Sequence, residues 1–456
     1  MNILNQKFKK NNIIFFIGFI ILLLFNIQIA LLYLLTWICI FPVFTKNYDF
    51  FRPINYFSCW YYYYYGLGYV CYNIRKEFRI TQKFDYNVMI NAQIISILII
   101  ILLKLLLHYF PIRKSIKQIN QDSFFINNNI PLLIIVTIFN FGISVLFWKK
   151  LGGIPLFIKG YHDSNKALLG KGLGYFEYLQ SFCVLLLCLF LMSSFYKKKD
   201  KIFSYLIIIF NLIVIPLLSD TRSTLIYNLI LFLIFYSWNK KNIKVITIFF
   251  SGLFVIILAA IWGVYRGGNI ASIGIVILAE IGVEFDNYVD VIKMFPNQFE
   301  FTYGSTYIPC LTLLLPRAIM PNKNSWMTGG EYFKYIKNHD YIRVGERFTF
   351  AGELFMNFGI LGAIIITPVI FYLLLRVSTG LYDKYFNQHG KTHNFKIEMF
   401  SYLFLKFSLG LLAGDTATAF SSSFYNFFFI ILVFIIFAQM KNNNTKGGTT
   451  ALCKFQ

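Results

Sequence analysis

Long apolar segments recur along almost the whole chain, and this pattern constrains the fold more than any other feature. Each segment is close to the roughly 20 residues that an α-helix needs to cross a bilayer. Only 14% of the residues are charged, which is too few to cover the surface of a soluble protein of this size. The sequence therefore predicts an all-α polytopic membrane protein.

Twelve membrane spans fit the apolar segments. The first segment, residues 12–44, is too long for one helix, and its only polar break is Asn26 to Gln28, so we expect a hairpin of two helices there. No small-residue cleavage site follows the basic residues at 7–10, so we expect the first helix to be retained. The other predicted spans are residues 54–74, 88–109, 129–149, 179–196, 202–219, 222–238, 244–265, 350–376, 398–415 and 420–439.

Basic residues orient these helices. The formal net charge is +22, and most of it lies in short loops between apolar segments, which indicates membrane topology rather than nucleic-acid binding. The basic loops that share one face, and make it cytoplasmic, are at residues 7–10, 113–117, 197–201, 240–244 and 384–396, together with the tail from 441. Two basic segments, 75–83 and 149–150, fall outside against this rule.

The topology predicts three regions. Residues 1–265 hold the N-terminal helices, with a short outer loop near 151–178. Residues 266–349 form a large extracytoplasmic loop, and residues 350–456 hold the C-terminal helices and a cytoplasmic tail.

Six of the basic residues at the predicted outer face, where the positive-inside rule expects few, are candidates for a binding site. Guanidinium groups offer a planar fork of donors that suits phosphate oxygens, so such a cluster would suit a lipid-linked diphosphate at the membrane surface. Ion pairing is the competing explanation, because residues 266–349 contain eight basic and eight acidic residues. The six residues are Arg222, Arg266, Arg317, Lys323, Arg343 and Arg347.

Two residues of the same outer region are candidates for a general base. His339 could take a proton from a sugar hydroxyl, although a surface histidine without a catalytic role is the commoner case. Glu353 begins an apolar helix, where a carboxylate is costly unless it is paired or functional. It could equally complement the helix N-terminus or pair with Arg347.

Several local patterns have two interpretations. Asp286 and Asp290, with Glu280 and Glu284 before them, could form a metal-binding helix face, but a solvated acidic face is favoured. The tyrosine run from Tyr61 to Tyr65 could bind sugar, but aromatic packing at the membrane interface is favoured. The seven cysteines lack metal-site spacing and are expected to pack in the core. No metal or cofactor site is predicted.

Two features are expected within the large loop. The apolar stretch from Tyr307 to Leu315, followed by Pro316, predicts a short interfacial helix. The pair Gly329 and Gly330 predicts a bend.

Short motifs along most of the chain resemble the Wzy-type O-antigen polymerases, the oligosaccharide repeat unit polymerase family. The matching pieces are GGIPL at 152–156, SDTRS at 219–223, Tyr303-Gly304, Pro316-Arg317, Pro321 with Lys323, Gly352-Glu353 and NFG at 357–359. The resemblance implies a GT-C-like fold and a glycosyltransferase without a cofactor. Its substrate would be undecaprenyl-diphosphate-linked oligosaccharide, polymerised into O antigen or capsule on the outer face of the plasma (inner) membrane.

The resemblance also implies roles for the candidate residues. Five of the six basic residues would hold or neutralise the diphosphate leaving group: Arg222, Arg317, Lys323, Arg343 and Arg347. Arg266 would bind the substrate with them, and His339 or Glu353 would be the base. A polysaccharide chain-length regulator in the same membrane is an expected partner. The alternatives are an O-antigen ligase and a lipid-linked oligosaccharide flippase. A flippase is disfavoured because its charges usually lie near the midplane of repeated halves, and no repeat is visible here.

Overall fold

The computed structural model describes helices and connecting turns, and its described residues contain no strand. The described residues are 15–44, 48–77, 84–110, 130–155, 174–194, 206–207, 209–218, 222–239, 243, 247–248, 283–312, 314–315, 319–320, 326–337, 349–388, 395–428 and 430–431.

Sixteen helical segments are named in chain order within these residues. The first eight are α1 (Phe15–Phe25), α2 (Ile27–Cys39), α3 (Pro53–Tyr62), α4 (Gly68–Glu77), α5 (Tyr86–Tyr109), α6 (Ile130–Leu151), α7 (Gly174–Ser194) and α8 (Ile215–Leu218). The others are α9 (Arg222–Asn239), α10 (Val283–Met294), α11 (Ile308–Thr312), α12 (Gly329–Ile336), α13 (Phe350–Leu361), α14 (Thr367–Gln388), α15 (Phe395–Ala413) and α16 (416–428).

Three helical stretches among the described residues are long and apolar enough to cross a membrane: Tyr86–Tyr109, Leu133–Leu151 and Phe350–Asp383. Shorter apolar helices accompany them, including α1 and residues Tyr227–Trp238. This composition supports the predicted helical membrane protein. The number of twelve spans and the three-region division stay predictions.

The chain divides into two compact units. Residues 1–122 and 232–419 form the first, and residues 123–231 and 420–456 form the second. Within the second unit, buried amides join the helices: the Asn140 amide donates to Asn211 Oδ1 at 2.9 Å, and Gln180 donates to the Ser144 hydroxyl at 2.8 Å. Such bonds hold helices together where no water competes.

The expected break at Asn26 is confirmed. Asn26 leaves the helical conformation (φ −158°, ψ 111°), and its side chain accepts hydrogen bonds from the backbone N–H groups of Gln28 and Ile29, which caps α2. The ring of Phe15 stacks on those of Tyr33 and Trp37, with centroids 4.9 and 4.0 Å apart. The two helices therefore run antiparallel as a hairpin.

The helical run from α13 to α14 positions the site. Thr349 caps its start, accepting a hydrogen bond from the Gly352 N–H at 3.1 Å. Gly359 interrupts the run with a φ of +66°. A Cβ at this position would lie only 3.1 Å from the ring of Phe301. A π-helical turn, Gly362–Ile366, then leads into α14, which packs against α15.

The interpretation of α10 as a solvated acidic helix is wrong. Glu284, Asp286 and Asp290 are all buried, because α10 packs against α4, α5 and α13 on several sides. Lys337, which follows α12, forms an ion pair with Asp290 and donates to the Asn287 side chain at 3.3 Å. The acidic residues of α10 are therefore part of the buried interior of the first unit.

The tyrosine run packs against other helices inside the first unit. Tyr61 and Tyr65 are buried and their rings lie 4.5 Å apart. Tyr65 also contacts the ring of Tyr288 on α10, edge to face, and the Tyr61 hydroxyl donates to the Ser96 carbonyl at 2.7 Å. The expected aromatic packing is therefore confirmed, and its level relative to the membrane interface stays a prediction.

Candidate functional site

Glu353 lies in the first turn of α13 and is fully buried. One carboxylate oxygen, Oε1, accepts a hydrogen bond from the Thr306 hydroxyl at 2.9 Å. The other, Oε2, accepts from the backbone N–H of Thr416 at 2.7 Å and from its hydroxyl at 2.6 Å. Glu353 therefore joins the turn before α11 to the first residue of α16.

Asn357, one helical turn after Glu353, extends the network. Its amide nitrogen donates to the Glu353 carbonyl at 2.8 Å and to the Thr306 hydroxyl at 2.9 Å. Its oxygen accepts from the Thr302 hydroxyl at 2.6 Å and from the Gly304 N–H at 2.7 Å. The segment 302–306 is thus fixed to α13 at several points.

Helix α12 begins against the same carboxylate. Gly329 packs so closely that a Cβ there would lie 2.8 Å from Glu353 Oε1. Thr328 and Glu331 form a capping box that starts the helix, so the expected bend at Gly329 and Gly330 is wrong. Gly329 lies in the first turn of α12, where its contact with Glu353 leaves no room for a side chain.

Asp415 is the second carboxylate at this end of the first unit. Its Oδ1 accepts from the Thr418 N–H at 2.7 Å and caps α16, while its Oδ2 accepts from the Gly330 N–H at 3.1 Å. Both carboxylates therefore face the start of α12, where the backbone N–H groups have no acceptor within the helix and carry partial positive charge. Among the described residues, no lysine, arginine or histidine forms an ion pair with either one.

The pKa of the Cys310 thiol, on α11, shows the effect of burial and negative charge in this region. Burial, and then the nearby charges of Glu353 and Asp415, raises its pKa to about 12. The thiol is therefore protonated at neutral pH and a poor nucleophile. The cluster consists of hydroxyl, amide and carboxylate groups, and no described cation neutralises its two carboxylates. Such a cluster can hold polar groups in a fixed orientation, and it can bind a basic group or a substrate hydroxyl.

A family model described as O-antigen polysaccharide polymerase Wzy matches residues 11–446. The chain belongs to the O-antigen polysaccharide polymerase Wzy family. No curated protein and no solved structure matches the chain significantly. As a Wzy family member it is a membrane-bound, glycosyltransferase-like polymerase that joins lipid-linked O-antigen repeat units.

Family membership decides between the functions that the sequence left open. Polymerisation of repeat units is the activity of this Wzy protein, rather than the ligase or flippase activity. The match also covers both compact units, so the whole described fold belongs to the polymerase.

Of the predicted site residues, Glu353 is the one whose backbone and side chain the structure both describes. Helix α9 begins at Arg222, as expected, but the Arg222 side chain lies outside the described part of the structure. The others that lie outside it are Arg266, Arg317, Lys323, His339, Arg343 and Arg347. Their roles stay predictions.

Sequence analysis missed the partners of Glu353, namely Thr306, Thr416 and Asn357. Each is a small polar residue in a turn or helix, and such residues are common throughout the chain. Only Asn357 stood in a noted motif, and the bonds themselves join residues as many as 63 positions apart.

Proposed function

We propose that this Wzy protein polymerises undecaprenyl-diphosphate-linked repeat units at the outer face of the bacterial plasma membrane, in a GT-C-like arrangement of about twelve spans. The observation that carries the site assignment is the cluster around Glu353. It unites residues 302–306, 329–330 and 415–416, which the basic loops place on one face.

Contacts in the second half of the helical run α13–α14 support the same orientation. Arg52 pairs with Asp383, and the Tyr372 hydroxyl donates to the Phe110 carbonyl at 3.1 Å. Residues 52, 110 and 383 are all expected on the cytoplasmic face, opposite to Glu353.

The proposed reaction transfers the growing chain from its lipid diphosphate to the incoming unit. A hydroxyl of the incoming unit attacks the anomeric carbon, the bond from that carbon to the diphosphate oxygen breaks, and the hydroxyl proton passes to a base. The leaving diphosphate gains negative charge, which Arg222, Arg266, Arg317, Lys323, Arg343 and Arg347 would neutralise. His339 or Glu353 would accept the proton.

The geometry sets a condition on Glu353 as the base. Glu353 is fully buried and both of its oxygens lie against bound donors, so a substrate hydroxyl can reach one of them only if Thr306 or Thr416 moves aside in exchange. Without that exchange, Glu353 acts by holding three segments of the site together, and the proton passes to His339. Both assignments keep Glu353 essential, and they differ in whether Thr306 and Thr416 must move.

The first test is the surface polysaccharide profile of cells that lack the protein. Arg222→Ala, Arg317→Ala, His339→Ala and Glu353→Ala are restored at equal protein amount. We expect the long ladder to disappear while a single repeat unit survives on the acceptor. An intact ladder in the arginine variants would refute the proposed diphosphate site. Loss of even the single unit would indicate a defect before polymerisation.

The orientation is tested with Ser325→Cys, which introduces a thiol into the large loop. Cys310 should label slowly because its thiol has a pKa of about 12, and a Cys310→Ser background removes the remainder. We expect labelling by a membrane-impermeant reagent added from outside. Labelling only from the cytoplasmic side would place the site on the wrong face.

A chain-length regulator is part of the proposal as a partner. Its loss should change the modal length of the ladder without abolishing polymerisation, and cross-linking in membranes should join the two proteins. A ladder of unchanged length distribution would remove this partner.

A further inference from the structure

Tyr303 has an unusual backbone conformation on the surface beside the Glu353 cluster. Its φ is +47°, in the left-handed region that residues other than glycine rarely adopt. Its side chain is 76% exposed, and its ring meets that of Phe301 edge to face, with the centroids 6.4 Å apart. A left-handed residue of this kind costs on the order of 1 kcal/mol, and burial of the ring offsets little of that cost.

The residues on both sides of Tyr303 are held firmly. Asn357 accepts hydrogen bonds from the Thr302 hydroxyl and the Gly304 N–H, and the Thr302 N–H donates to the Met356 carbonyl at 3.1 Å. Gly304 continues the turn with a φ of +90°. Bonds to α13 therefore enforce the conformation, and their effect is to present the tyrosine ring outward.

The same network connects this turn to the reacting region. Asn357, which holds residues 302 and 304, also donates to the Thr306 hydroxyl, and that hydroxyl donates to Glu353. An aromatic face stacks well on the C–H face of a pyranose ring, and the phenolic hydroxyl can bond a sugar hydroxyl. A rigidly held tyrosine therefore offers a sugar-binding surface at low entropic cost.

We propose that Tyr303 binds a pyranose ring of the lipid-linked repeat unit and that Asn357 positions it by holding its turn. This inference rests on the proposed function, because it takes the Glu353 cluster as part of the polymerisation site. The competing role for an exposed tyrosine near a bilayer is anchoring in the headgroup region.

Tyr303→Gly separates these roles. Glycine adopts a φ of +47° without strain, so the substitution keeps or improves folding while it removes the ring. Polymerisation is measured in membranes with increasing concentrations of lipid-linked repeat unit, at equal protein amount. We expect Tyr303→Gly to raise the half-saturating concentration by about tenfold, the effect of a loss of roughly 1.4 kcal/mol of binding free energy. Tyr303→Trp should stay within about twofold, because a stacking ring remains.

Tyr335→Ala is the matched control. Tyr335 is 66% exposed on α12 in ordinary helical conformation, so its loss should leave the half-saturating concentration unchanged. The inference is overturned if Tyr303→Gly has a wild-type half-saturating concentration. It is also overturned if Tyr303→Gly and Tyr335→Ala lower only the amount of membrane-inserted protein, and to the same extent, since that pattern indicates anchoring.

Failure of the inference is distinguishable from failure of the proposed function. If Tyr303→Gly behaves like the unmodified protein while Glu353→Ala and Arg317→Ala abolish polymerisation, the site stands and the sugar-binding role fails. If the Glu353 and Arg317 variants polymerise normally but Tyr303→Gly weakens substrate use, the sugar-binding role stands. The assignment of the reacting groups then fails.

Discussion

The two ends of the helical run α13–α14 carry carboxylates in opposite kinds of environment. Glu353, at the first end, is fully buried and is bound by two hydroxyls and one backbone N–H. Asp383, at the other end, is bound by the guanidinium of Arg52 through two bonds of 3.0 and 2.6 Å. The Asp383 and Arg52 side chains keep 19% and 40% of their surface exposed.

The difference separates an end where opposite charges cancel from an end where a buried carboxylate keeps its charge. Arg52 and Asp383 neutralise each other near water, and Trp238 donates to the Phe51 carbonyl beside them, which ties the segments together. At Glu353 the described partners are neutral dipoles, which orient the carboxylate without cancelling its charge. Such a site remains responsive to a cation, a proton donor or a substrate.

The largest effect is expected from Glu353→Gln. An amide accepts hydrogen bonds on one side only. Its NH2 group therefore faces either the Thr306 hydroxyl, which must turn its proton away from Glu353, or the Thr416 N–H, which cannot turn. A buried donor left unsatisfied costs about 1–3 kcal/mol. We expect loss of the polysaccharide ladder, scored by gel at equal protein amount.

Asp383→Asn is the matched control for that substitution, since it makes the same chemical change at the other end of the run. We expect it to keep the ladder. If Asp383→Asn abolishes the ladder as Glu353→Gln is expected to do, the proposed difference between the two ends is wrong.

The next effect is expected from Gly329→Ala, which places a methyl group against Glu353 Oε1, where only 2.8 Å is available. The carboxylate must shift and lengthen its bonds, at a cost of about 1–3 kcal/mol. We expect polymerisation to fall severalfold. Gly142→Ala is the control because nothing lies within 4 Å of that position. Equal activity of the two variants would mean that the position of Glu353 is not critical.

A smaller effect is expected from Thr416→Val, which removes one hydroxyl and leaves the backbone N–H bond to Glu353 in place. Loss of one hydrogen bond to a carboxylate reduces stability by about 1.5–3 kcal/mol in general, and the remaining donor moderates the loss here. Thermal unfolding in detergent measures this change. Thr416→Ser should restore the stability, and failure to restore it would assign the effect to packing of the methyl group.

The smallest effect is expected from exchanging the ion pair, with Arg52→Asp and Asp383→Arg combined. Exposed pairs contribute about 0–1 kcal/mol, so either single variant should lower the unfolding temperature slightly and the double variant should recover it. Polymerisation should remain near normal in all three. Loss of the ladder at normal protein amount would show that this end also takes part in the reaction.

Sequence reasoning reached the features that depend on local chemistry. The helix break at Asn26, the helix starts at Arg222 and Phe350, and the exceptional position of Glu353 all follow from one or two residues within an apolar run. It failed at α10 because a charged face looks the same in sequence whether water or protein covers it. It failed at Gly329 because a glycine that makes room for a distant carboxylate resembles a glycine in a turn.

By itself, the amino-acid sequence determined the helical membrane class and the family of this polymerase. Apolar length and composition set the free energy of transfer into a bilayer whatever the contacts are, and the match to the family extends over residues 11–446. Only the tertiary structure decided that Thr306, Asn357, Gly329, Asp415 and Thr416 gather around Glu353. A buried carboxylate must find donors, and which donors it finds depends on helix packing between segments far apart in the chain.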